Sequence, residues 1–266
     1  MQATIPGTVR LLVDPPAAGA YNMALDEALL EALAGGQGLP TLRFYDWSPP
    51  ALSLGYAQPV EVVDRDACRR WGVDVVRRPT GGRAVLHDRE LTYSVVMRAG
   101  GESVADSYCR ISKAIARALA AMGVPAEVAA GSARKAPGVA DCFAVATPAD
   151  LVAGSGRKLA GSAQVRRHGR FLQHGSIKLA PSPIPLGELL PGQAAPSPAT
   201  VADYLGTPAP DLAGRLMRAI AAELGVPWEP AAPTAAELHL AAIIAARTSS
   251  VPGPADRVAA RPDRGA

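Results

Sequence analysis

The run Arg77-Arg78-Pro79-Thr80-Gly81-Gly82-Arg83-Ala84-Val85-Leu86-His87 crowds glycine, arginine and histidine into one short segment. Without a Cβ, a Gly-Gly pair lets bare backbone approach a ligand closely. Backbone N–H groups exposed at such a turn, flanked by the Arg78 and Arg83 guanidinium groups, are equipped to hold a phosphate or a carbonyl oxygen. The segment is not a Walker loop, since no Gly-Lys-Ser/Thr follows the glycines. The same residues also read as a tight β-turn with solvated arginines, and His87 as a structural histidine with no part in chemistry. Elsewhere, the cysteines Cys68, Cys109 and Cys142 stand in no CxxC arrangement and the histidines are scattered. Neither a disulfide framework nor a metal site is expected, and each thiol reads as free.

A mixed α/β frame is predicted to position that segment. In YNMALDEALLEALAGG, Leu25, Ala28, Leu29, Ala32 and Leu33 follow the spacing of one helix face, and Gly35-Gly36 ends the helix. TLRFYDW and ALSLGY read as strands around Ser48-Pro49-Pro50; VDVVRR, GGRAVLH and LTYSVVM read as three more. Ser103 is placed to cap a helix carrying Val104, Tyr108, Ile111, Ile115, Leu119 and Met122 as far as Gly123, with Cys109 near its apolar stripe. RKLAGSAQV and RFLQHGSIKL form an expected hairpin across Arg166-Arg167-His168-Gly169. A proline-rich connection from Pro181 to Pro198 leads to helices over about 211–224 and 235–246, and the segment after Ser249 has a disordered composition.

At 266 residues and 48% hydrophobic content the chain can bury a substantial core. No window approaches the roughly 18 apolar residues of a membrane helix, and no basic segment with a long apolar run opens the chain. The expectation is a cytoplasmic protein with no membrane partner. A formal charge of +3 is too small to argue for nucleic acid.

The segment RRPTGGRAVLHDRELTYSVV resembles the signature of the lipoate-protein ligase and octanoyltransferase superfamily, whose ligases read RR-x-SGGG-A-V-x-HD before an aromatic-Ser strand. Gly156-Arg157-Lys158-Leu159-Ala160-Gly161-Ser162-Ala163 resembles the same superfamily's glycine-arginine-lysine block, and NMALDEALL resembles its first helix. The resemblance runs from roughly Leu11 to Leu179. It implies an α/β (α+β) fold with a mixed β-sheet packed with helices, shared with biotin ligases. The expected organisation is a catalytic domain over 1–228, a C-terminal helix over 229–248 and a disordered tail over 249–266.

Two departures select a branch within that resemblance. Arg83 stands where ligases carry a third glycine, and Ala140-Asp141-Cys142-Phe143 stands where they read Asn-Asp-Ile. Both are similar to the cysteine-dependent octanoyltransferases. The resemblance therefore implies Cys142 as acyl-accepting nucleophile and Lys158 as the lysine that stabilises its thiolate and later takes a proton. It implies substrate binding by Arg78, Gly81, Gly82, Arg83, Ala84, His87, Gly161 and Ser162, with Val85 and the Ala160-Gly161 surface receiving an octanoyl tail. The implied donor is octanoyl-acyl carrier protein, and the implied acceptor a lipoyl-domain protein such as the glycine cleavage H protein. No cofactor is implied. The alternatives are a lipoate-protein ligase using ATP and magnesium, a transferase moving acyl groups between two lipoyl domains, and an inactive acyl-protein-binding relative.

Overall fold

A computed structural model describes residues 9–129, 139–144, 146–147, 150–154, 156–193, 197–206, 211–225 and 227–248. The elements in chain order are β1 (Val9–Val13), α1 (Gly19–Ala34), β2 (Thr41–Tyr45), β3 (Ala51–Leu54), α2 (Arg65–Arg70), β4 (Asp74–Arg77), β5 (Val85–His87), β6 (Glu90–Arg98), α3 (Val104–Ala121), β7 (Ala126–Val128), β8 (Leu151–Ala153), β9 (Lys158–Arg167), β10 (Arg170–Lys178), α4 (Leu186–Leu189), α5 (Ala202–Leu205), α6 (Leu212–Leu224), β11 (Trp228–Pro230) and α7 (Ala235–Thr248). Among the described residues the strands form an eight-stranded sheet, β11-β1-β2-β6-β10-β9-β8-β7, and a three-stranded sheet, β4-β3-β5. The large sheet is mixed: β1 is parallel to both β11 and β2, while β2, β6, β10 and β9 alternate antiparallel. The expected mixed sheet packed with helices is present.

Alternation along the central strands sends side chains to two cores. Leu91, Tyr93, Val95 and Met97 of β6 face α3 and α6, where Ile111, Ile115, Leu119, Leu216 and Ile220 complete one cluster. Val96 of β6, Leu172 of β10 and Leu12 of β1 meet α1 on the other side. The α3 cap forms as expected: the Ser103 hydroxyl accepts from the Asp106 N–H, and Asp106 answers with a bond from the Ser103 N–H. Val104, read as part of the apolar stripe, is exposed because it lies in the first turn, outside the sheet contact.

α1 shows what a single-face reading misses. Its predicted stripe is buried apart from the half-buried Ala32; Asn22 and Asp26 are buried as well, on the sheet side where both bond Arg43, and Ala24 and Leu30 join the cluster that α7 completes. The Arg10 guanidinium pairs with Glu237 of α7 at 2.7 Å. β11 straddles the expected boundary between residues 228 and 229 and pairs with β1. The C-terminal helix thus lies on the surface of α1, with Glu237 and Ala241 buried at the contact. The segment 249–266 lies outside the described residues.

The small sheet sets the path of the glycine segment. β4 and β5 lie on opposite sides of β3, so the chain from Arg78 to Ala84 crosses the end of β3 instead of closing a tight hairpin. Neither arginine of Arg77-Arg78 is solvated, since both are buried. The expected β9–β10 hairpin forms with a two-residue turn, His168 and Gly169 having φ of 48° and 70°. Two left-handed residues match the right-handed twist of the flanking strands.

Candidate active site

The two sheets enclose a pocket. Met23, Tyr45 and Trp47 line one side; Ser53, Arg78, Val85 and His87 come from the small sheet and its glycine segment. Gly161, Ser162 and Ala163 of β9, the facing His174, Gly175 and Ser176 of β10, Thr92 and Cys142 complete the lining. Of the residues the resemblance singled out, Cys142, Arg78, His87, Gly161, Ser162 and Val85 line this one pocket. Ala160 instead belongs to the core cluster facing α3. Gly81, Gly82, Arg83, Ala84 and Lys158 are not part of this lining.

Lys158 is buried at the start of β9, not solvated at a strand edge, and its ammonium lies 3.4 Å from Cys142 Sγ. It also donates to the Cys142 carbonyl at 3.0 Å and to Asp150 Oδ2 at 2.8 Å. Burial works against the charge, yet the attraction of Cys142 and Asp150 outweighs it and holds the ammonium above its ordinary range. Asp150 is fixed in turn by the Thr147 N–H and hydroxyl, both at 2.7 Å. Asp150 is not legible in the sequence, where no motif spacing marks it. Gly161 lets the pair approach the strand: a Cβ there would lie 2.7 Å from Lys158 Cε and 3.5 Å from Cys142 Sγ.

The glycine segment is tied to the Cys142 segment by backbone hydrogen bonds. Ala84 N–H donates to the Ala140 carbonyl and Cys142 N–H to the Ala84 carbonyl, each at 2.8 Å. Arg78 braces this segment from within, donating to the carbonyls of Gly81, Arg83 and Ser53 and to the Ser53 hydroxyl. Gly82 has φ of 93°, and a Cβ on it would meet Arg78 Nη2 at 2.8 Å. Gly55 must also be bare, because a Cβ there would overlap the Gly82 carbonyl. The glycines thus serve a compact segment wrapped around a buried guanidinium.

Two carboxylate–imidazole–hydroxyl chains converge on the pocket. In one, His174 Nδ1 faces Asp26 Oδ2 at 3.0 Å and Nε2 faces the Thr80 hydroxyl at 2.7 Å. Asp26 also takes Arg43, Tyr45 and Ser94, each at 2.8 Å; burial opposes its charge, but His174, Arg43 and Tyr45 outweigh it and hold the carboxyl below the usual range. In the other, His87 Nδ1 faces Glu90 Oε1 and Nε2 faces the Ser53 hydroxyl, both at 2.7 Å. Trp47 stacks on the His87 ring at a centroid distance of 3.8 Å, its indole N–H held by Thr92. Both His87 nitrogens are partnered, as a structural histidine's would be. His174 and Asp26 escaped sequence reasoning because they stand on different elements 148 positions apart.

Among the described residues, no group of three or more His, Cys, Asp or Glu side chains could hold a metal ion, and no helix is long and apolar enough to cross a membrane. Comparison with known proteins gives this geometry a family. An octanoyltransferase LipM of Carboxydothermus hydrogenoformans is 48% identical over 165 residues, 60% of each chain. Its counterpart from Moorella thermoacetica is 46% identical over 185 residues, 66% of this chain and 67% of that one. The match thus spans about three-fifths to two-thirds of these relatives' length. A crystal structure of lipoate-protein ligase A bound with ATP superimposes with a TM-score of 0.77 at 25% identity, covering 91% of this chain and 95% of that one. Residues 18–206 match the model of the lipoyl protein ligase A/B catalytic domain, a segment that holds the glycine crossing, Cys142, Lys158 and both histidine chains, and the protein belongs to that family.

Proposed function

We propose that this protein is an octanoyltransferase that carries its acyl group on Cys142. The observation that carries the reading is the Cys142–Lys158 pair, with the ammonium 3.4 Å from the sulfur at a pocket that also has apolar walls. A charged lysine beside a thiol favours the nucleophilic thiolate. The thiolate attacks an octanoyl thioester on acyl carrier protein, the C–S bond to the carrier breaks, and the octanoyl group remains on Cys142. Met23, Trp47 and Val85 supply apolar surface for the tail. The amine of a lipoyl-domain lysine, such as that of a glycine cleavage H protein, then displaces Cys142 to give the amide. Donor and acceptor place the reaction in the cytoplasm, and a thioester donor needs no cofactor because it is already activated.

The relatives named octanoyltransferase support this reading, while the likeness to a ligase bound with ATP supports the second. Cys142 weighs for the first, since an acyl-adenylate can be attacked by the acceptor lysine without a covalent enzyme step. Transfer assays separate the two. Octanoyl carrier protein without nucleotide should modify a lipoyl domain, and free octanoate or lipoate with ATP and magnesium should not; the reverse pattern would establish the ligase.

A further inference from the structure

Aminolysis of the acyl-enzyme needs a proton acceptor, and Lys158, buried and paired with Asp150 at 2.8 Å, is unsuited to that task. We propose that Ser53 and His87 form the relay that removes the proton from the acceptor's lysine ammonium, with Glu90 positioning the imidazole. This assignment rests on the octanoyltransferase reading.

The tautomer follows from the partners. Glu90 Oε1 lies 2.7 Å from His87 Nδ1, and the carboxyl is held far below the usual range: burial opposes the charge, but Lys178 and His87 outweigh it. An ionised carboxylate only accepts, so His87 Nδ1 carries the hydrogen and Nε2 presents a lone pair. Ser53 must then donate to Nε2 across 2.7 Å. Its oxygen has two acceptor sites, of which Arg78 Nη1 takes one at 3.1 Å. The remaining site has no partner among the described residues, and Ser53, though buried, lines the same pocket as Cys142. An ammonium can donate to it.

The charged groups around His87 come from three directions: Glu90 of β6, Lys178 of β10 and Arg78 of the glycine segment. Burial holds the imidazole below its ordinary range against the pull of Glu90, so the ring is neutral and can accept at neutral pH. The parallel chain through His174 does not offer the same path. Both hydroxyls, Ser53 and Thr80, are buried, but Thr80 does not line the pocket, so that chain anchors the glycine segment instead.

The proton balance is complete. The ammonium gives one proton to Ser53 oxygen as the Ser53 hydroxyl proton passes to His87 Nε2. The neutral amine forms the C–N bond to the octanoyl carbon. As the C–S bond breaks, a second proton leaves the nitrogen for the Cys142 sulfur. His87 then releases its proton to solvent, leaving amide product and free thiol.

Single-turnover kinetics on acyl-enzyme test the relay, using Ser53→Ala and His87→Gln with folding checked by thermal melting. Acyl-enzyme formation from octanoyl carrier protein should stay within a few-fold of wild type. Transfer to a lipoyl-domain lysine should fall by about 100-fold or more at neutral pH, within the range for general base catalysis. The loss should shrink as pH rises toward the lysine's own pKa, and deacylation by hydroxylamine, already neutral at pH 7, should be nearly unchanged. Ser53→Ala keeps the His87–Glu90 pair and serves if His87→Gln does not fold. Equal losses toward lysine and hydroxylamine, or normal lysine transfer, would overturn the relay while leaving Cys142 as nucleophile. Failure of wild type to form an acyl-enzyme would instead remove the transferase reading, and the relay with it.

Discussion

At the residue scale, the three cysteines have the same chemistry and different surroundings. Burial pushes the Cys68 thiol up to about 11, with Asp64 adding to the effect, so it remains protonated and inert at neutral pH. Cys142 is partly exposed and faces an ammonium. Iodoacetamide at pH 7 to 8 should therefore label Cys142 and spare Cys68, and Cys142→Ala should abolish transfer with an unchanged melting temperature while Cys68→Ala remains active; peptide mapping and a transfer assay check both. Lys158→Met deletes the charge beside the sulfur, so Cys142 alkylation at neutral pH should slow by at least several-fold. Gly161→Ala should also impair transfer, because its methyl would sit 2.7 Å from Lys158 Cε, with a stability loss of about 1–3 kcal/mol. None of this was legible from Cys142 alone, since a lone thiol has no pattern. The family resemblance singled it out, and Asp150 emerged only once the chain had folded.

At the element scale, local patterns were legible where local physics decides them. The α3 capping box and the two-residue β9–β10 turn follow from neighbouring residues. β1 and β11 were not, because a short strand of Val9–Val13 with an edge partner of Trp228–Pro230 is selected by parallel pairing across the whole chain. The glycine crossing was read as a turn between neighbouring strands because nothing in its sequence reveals that β3 lies between β4 and β5. The seam between α7 and the sheet rests on the Arg10–Glu237 pair, with side chains 7% and 2% exposed. Glu237→Ala would leave that guanidinium buried without its carboxylate and should cost about 3–5 kcal/mol, seen as a lower denaturation midpoint. Burial raises the Glu237 carboxyl, but bonds from Arg10 and the Thr234 N–H more than offset this and hold it below 4.5. Its contribution is therefore full above pH 4.5 and lost as pH falls through the depressed folded value, so wild type and Glu237→Ala should converge in stability in acid.

At the scale of the whole molecule, the site exists because two sheets face each other. The small sheet brings Ser53, Arg78 and His87, the large one brings Gly161, Ser162 and His174, and the segment paired to Ala84 brings Cys142 between them. Buried ion pairs and hydrogen bonds on both sides leave these groups little freedom, which suits the acyl carriage proposed for Cys142. The intact mass of the protein after mixing with octanoyl-acyl carrier protein tests that proposed carriage most directly, in the absence of nucleotide and before any acceptor is added. One octanoyl group should be found on the wild-type chain, mapped to Cys142, absent from Cys142→Ala and discharged when a lipoyl domain is added. An unmodified protein under these conditions, with acceptor acylation appearing only from free acid and ATP, would contradict it.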